Sequence, residues 1–137
     1  MLRIYPVMLD WLKGLAPLIA QIARFDGDLA KQLRRSSSSV ILNTGEGMYS
    51  RGGHRTNAYG VALREMGESY AALQAAQIHG YIKPLAPAFD AQCRRILGTL
   101  VKLALPEEVA AWKPAEKRRR KQAKESRTAA SSLDAED

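Results

Sequence analysis

The sequence has one cysteine, two histidines and few aromatic residues. A single cysteine, Cys93, excludes an intramolecular disulfide and a metal site built from several thiolates. His54 and His79 have no paired carboxylates near them, so we expect neither a metal site nor a cofactor. Only 7% of the chain is aromatic whereas 46% is hydrophobic. The core must therefore consist mostly of Leu, Ile, Val and Ala, which is typical of packed helices.

The chain also lacks a long apolar run. Charged residues or prolines interrupt each strongly apolar stretch well before the roughly 20 residues that a membrane-spanning helix needs. In the N-terminal stretch MLRIYPVMLDWLKGLAPLIAQIA, Asp10 and Lys13 interrupt any signal-like segment. We therefore expect an amphipathic helix in a cytoplasmic protein that has no membrane partner.

Apolar residues recur at three- and four-residue steps in four segments, and nothing in the first 105 residues alternates as a β-strand does. The predicted fold is all-α, an antiparallel up-down four-helix bundle over residues 1–112. A short turn at PEEVAAW would pack Trp112 against this bundle. The predicted helices run from Pro6 to Ile22 with a kink or division at Pro17, from Leu29 to Met48 after an N-cap at Asp26 or Asp28, from about Thr56 to Tyr81, and from about Ala88 to Leu105.

The stretch LRRSSSSVILNTGEG, residues 33–47, resembles a linker followed by a phosphate-binding loop. However, apolar residues continue at helical spacing before and after the four serines, and a linker would lose that period. A Walker loop would need a lysine and a preceding strand, and both are missing. We predict that the serines, Gly45 and Gly47 line a helix along which another helix approaches closely.

The C-terminal segment is different in composition. Residues 113–127 contain eight Lys/Arg and two Asp/Glu, a net charge of +6, whereas residues 1–112 carry +4. Beyond Pro114 there is almost no large apolar residue, so residues 113–137 are predicted to be a disordered basic tail.

Asn43 and Glu46 lie three residues apart and hence on neighbouring positions of one helix face. Glu46 could act as a general base, but the sequence offers no nucleophile, metal ligands or second carboxylate beside it. We favour a structural pair, partly buried, with an arginine opposite Glu46. Cys93 occupies an apolar position and is expected to be a small buried residue. No catalytic residue is predicted.

Basic residues give the main functional hypothesis, because clustered cations neutralise phosphates and release counterions. Five arginines are expected near the connection between helices 2 and 3, and five further cations form a dense block in the tail. The predicted nucleic-acid-binding residues are Arg34, Arg35, Arg51, Arg55, Arg64, Lys117, Arg118, Arg119, Arg120 and Lys121. A solvated basic face that serves only solubility is the alternative.

Residues 29–73 resemble the core signature of the bacterial four-helix bundle proteins first noticed as products of intervening sequences in 23S ribosomal RNA genes. The likeness covers about residues 5–105, although Thr44 and Gly45 replace the family's usual Ile-Ala. The matching positions are Leu33, Arg34, Arg35, Ser39, Val40, Asn43, Glu46, Gly47 and Arg51.

This resemblance implies an antiparallel bundle that assembles into a ring, typically a homopentamer, without catalytic activity. Relatives of the family include accessory proteins of diversity-generating retroelements, which bind nucleic acid and a reverse transcriptase. We therefore expect a non-enzymatic accessory factor that binds RNA or DNA. The rival hypothesis is a protein-interaction scaffold in which Arg34 and Arg35 pair with Glu46 and Asp90 of neighbouring subunits.

Overall fold

The structure, a computed structural model, describes residues 1–134, without the side chains of residues 113–115 and 134. Within that range the chain is all-α, with five helices and no strand. It divides into two compact units, Met1–Leu105 and a C-terminal unit that starts at Pro106. The helices are α1 (Ile4–Ala23), α2 (Gly27–Met48), α3 (Gly52–Ile78), α4 (Pro87–Ala104) and α5 (Pro106–Asp134).

Helix α1 starts earlier than predicted and runs unbroken through Pro17. Pro6 lies in its first turn, where a backbone N–H has no partner within the helix in any case. A proline inside a helix leaves the carbonyl four residues earlier without its usual donor. Because Pro17 is exposed, water can satisfy that carbonyl. The predicted division of the helix at Pro17 is therefore wrong.

Helix α2 includes all four serines, as predicted. Its N-cap is Asp26, whose carboxylate accepts a hydrogen bond of 3.0 Å from the backbone N–H of Leu29. Ser36 and Ser37 are fully buried and Ser38 is exposed. The serine run is thus part of a packed helix.

Two glycines with positive φ lie in the connections on either side of α3. Gly52, at φ +56°, opens α3, so this helix starts earlier than predicted. Gly80, at φ +75°, follows the end of the same helix. Left-handed backbone is accessible to glycine at little cost, which allows the chain to reverse within a few residues at both places.

The first unit is a helical bundle in which α1 packs on α2, α2 on α3, α3 on α4, and α4 back on α1. One hydrophobic core lies between these helices, and aliphatic side chains dominate it, as expected. Trp11 is fully buried in it, and so is Cys93. Its largest fully buried side chains are Trp11, Met8, Leu15, Ile22, Leu33, Met66, Leu73, Ile96 and Leu100.

The second unit differs from the prediction. Residues 113–134 were expected to be disordered, and only a short turn was expected before them, but α5 is continuous from Pro106 to Asp134. Trp112, the residue expected to pack against the bundle, is 54% exposed. Most residues of α5 are Ala, Lys, Arg, Glu or Gln, which are strong helix formers even where they bury nothing. Residues 135–137 of the predicted tail lie outside the described residues.

No helix in residues 1–134 is both long enough and apolar enough to cross a membrane.

Candidate nucleic-acid interface

The five arginines predicted to cluster are all exposed, but they are spread along α2 and α3. From Arg34 to Met48, the last residue of α2, is about 21 Å along the helix, at about 1.5 Å per helical residue. Only Arg51 and Arg55 lie at the connection between the two helices. The prediction that all five arginines lie near this connection is therefore wrong. Helices as long as α2 and α3 place Arg34 and Arg64 well away from the turn that joins them.

The charge of Arg35 is already paired within the chain. Its guanidinium donates to the carboxylates of Glu65 and Glu68 on α3, with nitrogen–oxygen distances of 3.4 and 2.7 Å. Gln32 also donates to Glu68, at 3.0 Å. The hydrogen bond to Glu68 and the charge of Glu65 raise the pKa of Arg35. With two carboxylates beside it, Arg35 is poorly placed to bind a phosphate.

The ion pairs and the hydrogen bond that join α2 to Glu65 and Glu68 of α3 make the free energy of unfolding depend on pH. Hydrogen bonds from Gln32 and then from Arg35 lower the pKa of Glu68 below its ordinary value of 4.5. A carboxylate with a lowered pKa stabilises the folded state above its unfolded pKa and loses that contribution as pH falls through the folded value. We expect Glu68→Gln to lower the free energy of unfolding at pH 7.

That difference from the wild type should shrink as pH falls below about 4.5. Urea denaturation at a series of pH values measures it. Gln32→Ala is the matched variant, because it removes the hydrogen bond that contributes most to the lowered pKa and leaves the carboxylate in place. A difference between wild type and Glu68→Gln that stayed constant from pH 7 to pH 3 would contradict the assignment.

Arg55 has a structural contact. Its Nε donates to the backbone carbonyls of Gly47, at 3.2 Å, and Ser50, at 2.8 Å. The last carbonyls of a helix have no partner within the helix and carry partial negative charge, so an arginine stabilises them. Arg55 therefore joins the end of α2 to the start of α3.

Arg34, Arg51 and Arg64 are the predicted bundle residues whose side chains make neither an ion pair nor a hydrogen bond with the described residues, whereas Arg55 makes hydrogen bonds to backbone carbonyls. Arg34 lies beside Ser37 and Ser38 at the edge of a cleft between α1 and α2, with a volume of about 280 Å³. Of the five arginines predicted in the bundle, these three have guanidinium groups that remain available for phosphates.

The Asn43–Glu46 pair predicted in the motif does not form as expected. Asn43 donates instead to the backbone carbonyl and hydroxyl of Ser39, one turn earlier, at 2.9 and 3.0 Å. Glu46 is exposed, so it needs no cation opposite it, and the expectation of a partly buried carboxylate is wrong. A solvated carboxylate in the last turn of a helix lowers the stability of the fold only slightly.

Gly47 has a packing role that the sequence indicated only in general terms. A Cβ atom added to Gly47 would lie 2.4 Å from Cε1 of Tyr59, whose ring is buried on α3. Thr44, one turn earlier, is fully buried, and its hydroxyl has no hydrogen-bond partner among the described residues. The small residues of α2 thus allow α3 to approach closely, as predicted.

A second polar cluster joins α3 and α4. The hydroxyl of Tyr70 donates to Asp90, and Arg94 pairs with the same carboxylate at 3.0 Å. Asp90 is therefore engaged within its own chain. The rival scaffold hypothesis pairs Asp90 with an arginine of a neighbouring subunit. Spacing along the chain does not reveal that Tyr70 faces α4.

An open groove of about 1000 Å³ lies between α1 and α4, lined in part by Val7, Gly14 and Phe89. The carboxylate in its lining is Asp10, which accepts a hydrogen bond of 2.9 Å from Gln92.

Burial raises the pKa of the Cys93 thiol to about 11, so the thiol stays neutral at pH 7. In residues 1–134, no three His, Cys, Asp or Glu residues are grouped as metal ligands would be.

The predicted cations of α5 are all exposed. Arg120 pairs with Glu116, one turn earlier, at 2.6 Å. Because α5 continues to Asp134, Lys124 and Arg127 belong to the same helix as the predicted block Lys117–Lys121. Neither residue was among the predicted nucleic-acid-binding residues, since a disordered tail has no helix faces on which to place them.

This arrangement defines an all-α helical bundle with exposed basic side chains. Its fold is similar to that of a solved protein of unknown function from the S23 ribosomal protein family of Bacteroides thetaiotaomicron, with a TM-score of 0.65 and 17% sequence identity. The likeness covers 74% of this chain and 98% of that one. No protein-family model matches the chain, and no curated protein does. At this identity the likeness shows the fold alone.

Proposed function

We propose that the protein is a non-enzymatic, cytoplasmic accessory factor that binds RNA or DNA through its basic surface. Residues 1–105 form an antiparallel up-down four-helix bundle in this proposal, and the bundles assemble into a homopentameric ring. The proposal includes membership in the intervening-sequence protein family and, as a candidate partner, the reverse transcriptase of a diversity-generating retroelement.

The charge of the bundle supports the proposal most directly. Residues 1–105 contain 13 Lys/Arg and 7 Asp/Glu, a net charge of +6. Glu107 and Glu108 belong to α5, so the bundle is more basic than the division at residue 112 suggested. Several of its cations, including Arg34, Arg51 and Arg64, are exposed. Cations that are not neutralised within the chain can release counterions from a nucleic acid.

Exposed apolar side chains on α2 support self-assembly. Leu42 is 71% exposed and Tyr49 is 88% exposed. Leu42 lies on α2, and Tyr49, seven residues later, is the C-cap residue of that helix, so the two residues lie on about the same side of it. A second copy that covered this face would remove both side chains from water. The fold likeness to the S23 family protein supports the bundle, and the sequence resemblance supports the ring.

Two adjacent arginines provide a sharp test of the proposal. Arg34→Ala should weaken binding of a labelled nucleic acid, because this exposed guanidinium has no ion pair among the described residues. Arg35→Ala should change affinity much less, because Glu65 and Glu68 already neutralise Arg35. Fluorescence anisotropy with an RNA and a DNA probe measures the affinities, and circular dichroism checks the fold.

The loss of one phosphate contact should also reduce the slope of log K against log salt by about 1 in the Arg34 variant. Equal affinities of wild type and Arg34→Ala for both probes would show that Arg34 does not contact the nucleic acid. Absence of binding by the wild type would disprove the proposed function.

A protein-interaction scaffold remains the second candidate, and the exposed Leu42 and Tyr49 favour it. In that case sedimentation would show assembly that Leu42→Ser weakens, while neither nucleic-acid probe would bind.

A further inference from the structure

The cations of α5 are not evenly distributed around the helix. At 100° per residue, five of the seven cations in residues 117–127 fall within about one third of the circumference and form a stripe about 15 Å long. All five are exposed. We refer to this set as the basic stripe; it consists of Lys117, Arg120, Lys121, Lys124 and Arg127.

The opposite face of the same segment lacks the chemistry for a membrane. It presents Arg119, Gln122, Ala123 and Ser126, none of which is a large apolar residue. A helix that lies on a lipid surface needs an apolar face to insert below the headgroups. The exposed large apolar side chains of α5, Trp112 and Leu133, lie beyond the two ends of this segment, so no continuous apolar face stands opposite the basic stripe. A lipid surface is therefore not its partner.

The segment also lacks the chemistry for single strands. Proteins that bind single-stranded nucleic acid without sequence preference stack bases on aromatic side chains, and residues 117–127 contain no aromatic residue. Lysine and arginine side chains do bind phosphates, and a duplex holds its phosphates in two regular rows. The major groove of B-form DNA is about 12 Å wide and admits an α-helix, whereas that of an RNA duplex is too narrow.

We infer that α5 lies along the major groove of double-stranded DNA, with the basic stripe against the phosphates and without reading the base sequence. This inference rests on the proposed function and specifies its nucleic acid and a contacting element. The expected partner is any B-form duplex longer than the stripe.

A variant with relocated charge separates this inference from generic attraction. In the full-length chain, Lys117→Gln, Lys121→Gln and Lys124→Gln remove three stripe cations, while Gln122→Lys, Ala123→Lys and Ser126→Lys place three on the opposite face. The net charge is unchanged. The probes are a labelled 20-base-pair DNA duplex of mixed sequence, its single strand and the corresponding RNA duplex.

We expect the wild type to bind the DNA duplex more tightly than the other two probes. The relocated variant should bind the duplex about tenfold more weakly, with a salt slope smaller by about 3. Ala123→Pro, which interrupts the helix without changing its charge, should also weaken binding. Circular dichroism checks that the relocated variant keeps its helix content.

Equal duplex affinity of the wild type and the relocated variant would overturn the inference while leaving the proposed function in place. Tighter binding of single-stranded DNA or of the RNA duplex would overturn the choice of partner. If the wild type bound none of the three probes, the proposed function would fail as well.

Discussion

Gly47→Ala is expected to destabilise the protein, although alanine is the better helix former. The added Cβ would lie 2.4, 2.7 and 2.9 Å from three ring atoms of Tyr59. Tyr59 is only 4% exposed, so its ring cannot move aside into solvent. Overpacking of this kind costs about 1–3 kcal/mol, which exceeds the gain of about 0.5–1 kcal/mol from replacing a helical glycine.

Gly45→Ala is the matched control on the same helix. A Cβ at Gly45 has its nearest contact with the hydroxyl of Tyr5, at 3.9 Å, which is an ordinary distance. This variant should gain about 0.5–1 kcal/mol from helix propensity alone. Thermal or urea denaturation at one protein concentration compares the two. A Gly47→Ala protein as stable as Gly45→Ala would show that α2 and α3 are not in close contact at this point.

Ser36→Leu is expected to have an effect at least as large. Ser36 is fully buried, and its hydroxyl lies 2.8 Å from that of Ser69 on α3. A leucine there would force the two helices apart, at about 1–3 kcal/mol. It would also remove the hydrogen bond between the hydroxyls, worth about 1 kcal/mol. We expect a loss of roughly 3 kcal/mol in the free energy of unfolding, summing these two contributions.

Ser38→Leu is the control for this change, because Ser38 is exposed on the same helix two residues later. A surface substitution of this kind should alter stability by no more than about 0.5 kcal/mol. Urea denaturation of the two variants measures the difference. Similar stabilities of Ser36→Leu and Ser38→Leu would mean that the serine run is not a packing surface.

Helical periodicity was sufficient to predict the main features of the bundle. Leu33, Val40 and Thr44 repeat at helical spacing through the serines, and all three are fully buried. The cap at Asp26 could be predicted because an aspartate before an apolar repeat has a specific hydrogen bond to make. These features depend on local sequence, which is why one sequence is enough to predict them.

The charged residues could not be placed in the same way. Arg34 and Arg35 are neighbours in sequence, but only Arg35 reaches Glu65 and Glu68, which are 30 and 33 residues further along the chain. Whether a cation is free depends on contacts between helices, and spacing within one helix does not contain that information. The tail was predicted to be disordered from its low apolar content, whereas the structure has helix α5 there, because low apolar content does not prevent a helix of strong helix formers.

The basic residues thus fall into two groups, those that pair with groups of the chain itself and those that do not. Arg35 and Arg94 are paired with carboxylates in the bundle, and Arg55 holds the end of α2. Arg34, Arg51 and Arg64 remain exposed without a carboxylate partner among the described residues, and so do Lys117, Lys121, Lys124 and Arg127 of the basic stripe. Arg120, the fifth member of the stripe, is exposed but pairs with Glu116. Only the exposed groups without carboxylate partners are expected to add to the salt dependence of binding.

The binding of a labelled DNA duplex by the full-length chain across a salt series is the first measurement to make. We expect a steep loss of affinity as the salt concentration rises. When the five cations of the basic stripe are replaced by glutamine, we expect a smaller but measurable slope, because the bundle contributes phosphate contacts of its own. Weak binding by the wild type that did not depend on salt would show that the basic surface does not bind phosphates.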